Sequence, residues 1–430
     1  MDHKILKVAR GLFYLFIFLL PWQTRYFLLR ASSGGYELEA GNLAIYGTEL
    51  WLWVIMILAI SSLFKKSFWS EAVGKIKFLK FKPQFLVVSL FIIWSGLSIF
   101  WSVNGAVAYW QWFKLLEAMA AGSLIIILKV DFKKIATMLA ASGAAQGLLA
   151  FWQFSTQQIV ANKWLGLAAQ NPADLGVSVV ENTGRWLRAY GSFPHPNILG
   201  GFLAVTILVS VYLIIQSDKL RIRLWLLVAL VLQVLGLVLT FSRAAIFLGL
   251  GLAIIYSLLL IKNKLTRRRA AVVLISLVLV ATVGYGLWGE LLINRFTDSR
   301  LTIKSNNERQ IELERAYSMI KARPLWGWGL GSYQLALLKL NPGQPAYQYQ
   351  PPHNLFWLTW AELGLVGLSL WLLILIITVW QAIKQKSGFV VYGLGLIFLL
   401  IWFDHYFWAS WSMLVIFWLM IYFGLIKKEE

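Results

Sequence analysis

His353 is the residue with the clearest chemical potential, because a polar segment meets an apolar run at this position. Pro351 and Pro352 precede it, and the apolar run that follows continues to Trp380 without a lysine or arginine. Proline is tolerated in the first turn of a helix but not in its interior, so a helix is predicted to begin here. The positive end of its dipole disfavours imidazolium, which leaves a neutral imidazole able to accept a proton. His353 is therefore a candidate general base; the alternative is a histidine that only caps the helix or lies in the membrane interface.

Arginines beside polar turns form the second group of candidates. Arg243 ends a connection of a few residues between two apolar runs, where a charge is costly unless it is paired or faces water. Arg309 lies in a polar loop, and Arg185 and Arg188 precede the turn 191–197. Guanidinium groups bind phosphate in a bidentate manner and stay charged when partly dried. These positions predict an anionic, phosphorylated ligand; snorkelling to lipid headgroups and ordinary loop salt bridges are the alternatives.

Further polar residues are supporting candidates. Asn354 follows the candidate base directly. His195 lies between two prolines, which favours a structural or loop-facing role over catalysis, and Asn197 is predicted to cap the helix that follows. Asp404 precedes another histidine in a turn and is a possible member of an acid–base pair. The chain has no cysteine, and its 4 histidines are scattered without the spacing of metal ligands, so we predict no metal and no cofactor.

The composition identifies the medium in which these residues act. Of 430 residues, 59% are hydrophobic and 13% are charged, against roughly 25% charged in a soluble domain, and the mean hydropathy is +0.70. The chain is therefore predicted to be an all-α polytopic membrane protein, and its 23 Trp and 16 Tyr suit the aromatic belts of membrane interfaces. The net charge of +20 reflects basic cytoplasmic loops in such a protein, so no nucleic-acid partner is predicted.

Apolar runs predict about twelve transmembrane helices. The runs lie at about 12–22, 43–64, 84–101, 106–128, 135–154, 198–216, 224–241, 244–261, 270–288, 354–380, 389–403 and 407–426. With the N terminus inside, every inner connection is basic, so both termini are predicted to be cytoplasmic. The outer segments then hold 10 arginines and 4 lysines, whereas the inner ones hold 6 arginines and 18 lysines. This asymmetry also favours an anion site on the outer face.

The chain is predicted to be a single transmembrane domain, 1–430, with an elaborated outer face. One outer loop is 155–196; the larger, 289–352, lies between spans 9 and 10 and is predicted to carry part of the site. In the larger loop a helix is predicted at Asn306–Arg323, capped by Asn306 and with Glu308 in its first turn. Two glycines beyond His353, Gly364 and Gly367, are predicted to let a neighbouring helix approach closely.

Four stretches of the sequence resemble the bacterial O-antigen ligase and polymerase-like membrane proteins. They are His353-Asn354 followed after nine residues by Gly364-Leu-Val-Gly367, RAYGSFPHPN at 188–197, FSRAA at 241–245, and NER…ARPLWGWGLGSY at 307–333. The first pattern favours the ligase branch, whereas the others are shared with polymerases and other relatives. The twelve-span layout with a long, helical outer (periplasmic) loop is also similar.

The resemblance implies a GT-C-like fold and metal-independent, inverting glycan transfer from undecaprenyl diphosphate to an acceptor sugar on the outer face of the bacterial cytoplasmic (inner) membrane. In ligases the acceptor is the lipid A–core sugar of lipopolysaccharide. By position, His353 looks like the general base, Arg243 and Arg309 look like clamps on the donor diphosphate, and Arg188 looks like a third. The implied partners are the undecaprenyl diphosphate-linked glycan donor, a glycolipid or glycan acceptor, and the lipid bilayer.

Other functions stay open at this point. A polymerase of the same family would share most of the motifs. A twelve-span transporter or flippase of a lipid-linked sugar would explain the hydrophobicity, but not two long outer loops beside short cytoplasmic ones. A receptor-like protein that binds a lipid-linked sugar would keep the arginines without a need for His353.

Overall fold

The computed structural model describes residues 2–33, 36–63, 83–181, 184–297 and 300–425, and most of these residues are helical. The helices are α1 (Asp2–Leu19), α2 (Gly47–Leu63), α3 (Pro83–Leu97), α4 (Gly105–Ile127), α5 (Phe132–Thr156), α6 (Pro196–Gln216), α7 (Leu220–Leu239), α8 (Arg243–Ile261), α9 (Arg267–Phe296), α10 (Arg300–Ala322), α11 (Tyr333–Leu340), α12 (Leu355–Lys384), α13 (Gly388–Leu400), α14 (Tyr406–Ala409) and α15 (Trp411–Leu425).

The strands are short and pair only with near neighbours. They are β1 (Arg25–Leu29), β2 (Ser32–Ser33), β3 (Tyr36–Glu37), β4 (Leu43–Tyr46), β5 (Val179–Glu181) and β6 (Arg185–Leu187). β1 pairs with β4, β2 with β3 and β5 with β6, all antiparallel. They were not predicted from the sequence, because strands this short show no clear alternation of apolar and polar residues.

The prediction of a largely α-helical, polytopic membrane protein is confirmed. Within the described residues, seven helices are long and apolar enough to cross a membrane: Gln84–Trp101, α5, α6, α7, α8, α9 and α12. Three shorter apolar helices lie at Gly47–Ser61, Gly388–Leu400 and Trp411–Leu425. The remaining two predicted spans coincide with α1 and α4, which are 18 and 23 residues long but are not among these apolar helices. The count of twelve and the single-domain organisation stay predictions.

Helices α5, α6 and α7 pack closely in the interior because glycines lie where they touch. A Cβ on Gly147 of α5 would overlap the backbone of Leu232 in α7, and one on Gly236 would lie 2.7 Å from the Cα of Gly147. The buried amide of Gln233 accepts a hydrogen bond from Ser210 Oγ of α6 (3.0 Å) and donates one to Ala140 O of α5 (2.8 Å). Close packing at glycines and hydrogen bonds between helices hold the three helices together in a bilayer, where the hydrophobic effect does not drive helix association.

Helix α12 is interrupted one-third along its length, at Gly364. The backbone there has φ 68° and ψ −175°, a conformation essentially restricted to glycine. The carbonyls that the interruption frees are hydrogen-bonded by other segments: Trp328 N donates to Ala361 O (2.9 Å), Gly329 N to Glu362 O (2.8 Å) and Trp94 Nε1 to Leu363 O (2.8 Å). The predicted close approach at Gly364 is therefore made by a loop rather than by a neighbouring helix. Gly367 does lie against a helix residue, because a Cβ added to it would be 3.1 Å from the indole of Trp94 in α3.

Gly364→Ala is expected to lower the free energy of unfolding by about 2 kcal/mol or more, since the unusual backbone conformation alone costs roughly 1–3 kcal/mol for a residue with a side chain. The new methyl group would also overlap Leu325 O. Thermal unfolding in detergent measures the effect. Gly251→Ala is the matched control, because Gly251 lies within α8 and has open space around it. Equal midpoints for the two variants would contradict the proposed strain.

The helix of the large outer loop differs from its prediction. It begins at Arg300 instead of Asn306, so Asn306 does not cap it and Glu308 lies beyond its first turn. α9 also continues through an irregular residue, Trp288, to Phe296, so the start of the predicted loop 289–352 extends that helix. Lys114 of α4 pairs with Glu49 of α2, because these two helices pack together.

Candidate active site

His353 lies immediately before α12, where the chain is fastened to the segment that follows α13. Asn354 caps α12 through its Oδ1, which accepts hydrogen bonds from Phe356 N (3.0 Å) and Trp357 N (3.3 Å). Its Nδ2 donates to Trp402 O (3.2 Å), and Leu355 N donates to Ile401 O (2.9 Å). The predicted helix start is thus correct in position, with Asn354 as the capping residue. This fastening brings the residues after Trp402 beside His353.

Asp404 is the first of two carboxylates that flank His353. Its Oδ1 lies 3.4 Å from His353 Nδ1 and 3.5 Å from His405 Nδ1, and it also accepts a hydrogen bond from His405 N (2.8 Å). Its Oδ2 accepts one from Asn197 Nδ2 (3.1 Å). Burial raises the pKa of Asp404, but the imidazole of His353 and the other histidines outweigh it and hold the pKa well below its usual range. Asp404 is therefore an anion beside the candidate base.

Glu312 of α10 is the second carboxylate, and it was not among the site residues predicted from the sequence. Its Oε1 lies 4.0 Å from His353 Nε2, and its buried Oε2 has no hydrogen-bond partner among the described residues. Burial raises the pKa of Glu312 to about 7, although His353 and Arg309 act in the opposite direction. The signal that could have found it is its spacing: residue 312 is three positions after Arg309 and shares its helix face.

The two carboxylates correct the prediction of a histidine that prefers the neutral form. Burial lowers the pKa of His353, but the carboxylates of Asp404 and Glu312 outweigh burial and raise the pKa above its ordinary value of 6.5. The helix dipole is a property of the local chain, whereas both carboxylates come from segments that are distant in sequence. A raised pKa makes His353 a stronger base once it is deprotonated. His353 therefore stays a candidate general base, but it is deprotonated at higher pH than an ordinary histidine.

Arg188 is the most deeply placed of the candidate phosphate ligands. Its Nε donates to Thr240 O (2.7 Å) and its Nη2 to Asn197 Oδ1 (2.8 Å), so its guanidinium is fixed between the turn before α6 and the end of α7. Burial lowers the pKa of Arg188 to about 9, and the charges of Arg295, Arg243 and Arg309 act in the same direction. Four arginines thus converge on one region, although Arg188 remains a cation at neutral pH.

The other three arginines approach from different helices. Arg243 begins α8, and its Nη2 donates to Asn306 Oδ1 of α10 (3.2 Å). Arg309 lies on α10, and its buried Nε has no hydrogen-bond partner among the described residues. Arg295 is near the end of α9, where its Nε donates to Phe241 O (3.3 Å). Sequence analysis missed Arg295 because nothing in its local pattern separates it from other loop arginines.

Two supporting candidates are placed differently from the rest. The guanidinium of Arg185 is exposed and donates to Asp174 O (3.1 Å) within the first outer loop, so the structure does not bring it into the arginine cluster. His195 caps α6: its Nδ1 accepts from Asn197 N (3.1 Å), and its Nε2 lies 3.1 Å from Ser178 Oγ. The predicted cap, Asn197, instead lies within the helix and bridges Arg188 to Asp404. Burial lowers the pKa of His195 to about 3, in keeping with the structural role expected for it.

Three side chains of the site are close enough to hold a metal ion. His353, Asp404 and His405 each offer one ligand atom, and these atoms lie within 4.8 Å of one another. Asp404 already accepts hydrogen bonds from Asn197 and the His405 backbone, which would compete with a metal ion for its oxygens. Metal independence of the site stays a prediction.

The fold and the site define a multi-pass membrane protein with a histidine between two carboxylates and a cluster of arginines suited to an anion. Residues 228–372 match the model of the family described as O-antigen ligase. The matched region carries Arg243, Arg309 and His353 and extends past the interruption of α12. No curated protein matches the chain.

The match confirms the predicted resemblance to the O-antigen ligase-like family, over residues 228–372. Members of this family are, broadly, membrane enzymes of glycosyl transfer with ligase-type or polymerase-type activity in polysaccharide biosynthesis. A lipid bilayer and lipid-linked glycans are accordingly the general partners of this protein.

Proposed function

We propose that this protein transfers a glycan from an undecaprenyl diphosphate-linked donor to an acceptor sugar of the lipid A–core type, on the outer face of the cytoplasmic membrane. The reaction is inverting and independent of metal, and both termini lie in the cytoplasm. The observation that carries the proposal is the pairing of His353, flanked by Asp404 and Glu312, with the arginine cluster. One group can take a proton from a hydroxyl, and the other can hold a diphosphate.

The donor diphosphate is bound by Arg243 and Arg309, with Arg188 as a third ligand. Arg309 has an unpartnered buried Nε among the described residues, and a guanidinium held in that way offers preformed donors to a phosphate oxygen. When the bond between the anomeric carbon and the diphosphate oxygen breaks, the electron pair stays with the diphosphate. Fixed guanidinium groups stabilise this developing charge without reorganising, which is the largest single contribution in many enzymes.

His353 accepts the acceptor proton as the acceptor oxygen attacks the anomeric carbon from the face opposite the diphosphate. Asp404, an anion 3.4 Å from Nδ1, orients the ring and leaves Nε2 for the acceptor hydroxyl. The 4.0 Å separation between Nε2 and Glu312 Oε1 exceeds a hydrogen bond, so a hydroxyl can enter beside both. The imidazolium that forms is then stabilised by two carboxylates. Bond formation to the acceptor, bond cleavage to the diphosphate and proton transfer balance in one step.

A polymerase is the alternative function within the family, because the same base and clamp would serve when the acceptor is a second lipid-linked glycan. A transporter or flippase of the lipid-linked sugar is the alternative from another class. It would use the arginines to bind the diphosphate but would have no need of a histidine held between two carboxylates.

The test is glycan transfer in proteoliposomes that contain undecaprenyl diphosphate-linked oligosaccharide, with EDTA present. Lipid A–core and a second molecule of donor are supplied in separate reactions as acceptors. Product on lipid A–core is expected, whereas product only on the second donor would identify a polymerase. Loss of product on adding EDTA would contradict metal independence. Movement of the donor across the bilayer without product from either acceptor would replace the transferase by the transporter.

A further inference from the structure

A cavity of about 200 Å³ lies among three segments that are distant in sequence, and none of the candidate site residues lines it. We call it the outer cavity. The first segment is Gln23 and Arg25, which follow α1. The second runs from Ile159 to Gln170 in the first outer loop, and the third is Tyr190–Pro194, just before α6. All three are predicted to lie on the outer side of the membrane.

The walls of the outer cavity are held in place by specific contacts. Thr24 Oγ1 donates to Trp164 O (2.6 Å), and Gly166 lies so close to Gln23 that a side chain there would overlap its backbone. On the other side, the buried amide of Gln153 accepts hydrogen bonds from Tyr190 N (3.1 Å) and Gly191 N (2.8 Å) and donates to Gly191 O (2.7 Å). The cavity is therefore preformed, as ligand sites usually are.

The lining combines unused hydrogen-bonding groups with an apolar surface. In the part of the chain that the structure describes, the side-chain amide of Gln170 makes no hydrogen bond, and Oε1 of the buried Gln23 accepts none. Arg25 uses Nη1 for Tyr46 Oη (3.5 Å) and Glu39 Oε1 (3.9 Å), and its guanidinium lies over the Phe27 ring. Its Nε and Nη2 make no hydrogen bond within the described residues, so they are available to a ligand. The apolar part of the lining is supplied by Leu167, Tyr190 and Phe193.

This combination matches the surface of a pyranose ring, which carries hydroxyl groups at its edge and C–H groups on its faces. The volume also fits, since a cavity of roughly 150 Å³ admits a six-membered ring such as benzene. A phosphate or a simple ion would use the arginine but not the apolar wall. A hydrocarbon chain would leave Oε1 of the buried Gln23 and the half-buried amide of Gln170 without partners, which is unfavourable for polar groups removed from water.

The outer cavity is connected to the candidate active site through a short stretch of chain. Tyr190–Pro194 forms its third wall, and this segment lies between Arg188 of the arginine cluster and His195, which caps α6. We propose that the outer cavity binds one pyranose ring of a glycan substrate, away from the sugar that reacts. The inference rests on the proposed function for the identity of that glycan, but binding can be tested without transfer.

Ala168→Trp tests the cavity directly. Ala168 lines it and is exposed, so an indole there obstructs the opening without disturbing the interior. Ala169→Trp is the matched control, because Ala169 is the exposed neighbour that does not line the cavity. Saturation-transfer NMR in detergent, with oligosaccharide released by mild acid from the lipid-linked glycan pool of the source cells, measures binding. We expect a signal with the wild type and with Ala169→Trp, and its loss with Ala168→Trp.

Kinetics of transfer then identify which substrate supplies the ring. Ala168→Trp is expected to raise the KM about tenfold, for the donor if the ring belongs to the donor glycan and for the acceptor if it belongs to the acceptor. Gln170→Leu, which removes the unpaired amide at similar size, should raise the same KM by a smaller factor with kcat unchanged.

The outcomes separate the two proposals. Absence of saccharide binding in the wild type, or equal binding and equal KM values in the two tryptophan variants, would overturn the glycan cavity even if transfer is observed. Binding that Ala168→Trp abolishes, together with no transfer by the wild type, would support the cavity and reject the proposed function.

Discussion

Replacing His353 with alanine is expected to lower the rate of glycan transfer by a factor of about 10²–10⁴, the usual contribution of a positioned general base. Binding of the donor should change little, because the arginine cluster that holds the diphosphate is supplied by α8, α9, α10 and the turn before α6. Transfer is measured in proteoliposomes, and donor binding is measured separately in detergent by the quenching of intrinsic tryptophan fluorescence. Equal transfer rates in the wild type and the variant would remove His353 from the chemistry.

The pH dependence of transfer tests the same assignment through the carboxylates. His353 must be deprotonated to act as a base, and its pKa is raised above 6.5, so the wild-type rate should increase with pH through a midpoint above that value. Asp404→Asn removes the carboxylate that raises the pKa of His353 more, so the midpoint should shift to lower pH while the maximal rate falls. Glu312→Gln should shift it in the same direction by less. A midpoint that does not move in Asp404→Asn would show that another group titrates.

Arg309→Ala is expected to lower transfer by a factor of about 10²–10³, which is typical when one preorganised donor to a developing negative charge is removed. Its buried Nε has no partner among the described residues, so the loss reflects the substrate rather than a broken protein contact. Arg309→Lys should restore little, because an ammonium group cannot make the bidentate contact to phosphate.

The control for the arginine is Arg221→Ala, which removes an exposed arginine at the start of α7, in a connection that is predicted to be cytoplasmic. Its transfer rate should equal that of the wild type at the same salt concentration. If Arg221→Ala and Arg309→Ala lower transfer equally, general surface charge would explain the effect and the clamp would be rejected. A rise in KM for the donor with unchanged kcat would instead assign Arg309 to uniform binding of the donor.

Local sequence patterns predicted the start of α12 and the resemblance to a family, which the match at 228–372 then confirmed. They placed His353 correctly at a helix start because the two prolines and the apolar run are adjacent in the chain. They could not show Glu312 or Asp404 beside it. One lies 41 residues before His353 and the other 51 residues after it, and only the packing of α10 and α13 brings them together.

The pKa of His353 likewise depends on residues that are distant in sequence. A helix dipole is readable from sequence, but its effect is worth less than two carboxylates at 3.4 and 4.0 Å. The chain order of Asn306 and Glu308 likewise suggested a helix start, whereas α10 begins six residues earlier and uses Asn306 to contact Arg243. Asparagine can cap a helix or lie on its surface and make a tertiary contact, and the local sequence does not distinguish the two.

The interruption of α12 anchors the C-terminal end of α10. Just after α10, Trp328 and Gly329 donate hydrogen bonds to carbonyls that the interrupted helix would otherwise leave unpaired, and Pro324 O accepts one from Leu365 N (2.9 Å). Separation of this segment from α12 would expose unpaired backbone groups at the membrane, which costs several kcal/mol per group. The C-terminal end of α10 is therefore anchored to α12. Arg309 lies nearly one helical turn farther from this anchor than Glu312, so any rotation about the anchor would displace the diphosphate clamp more than the carboxylate beside the base.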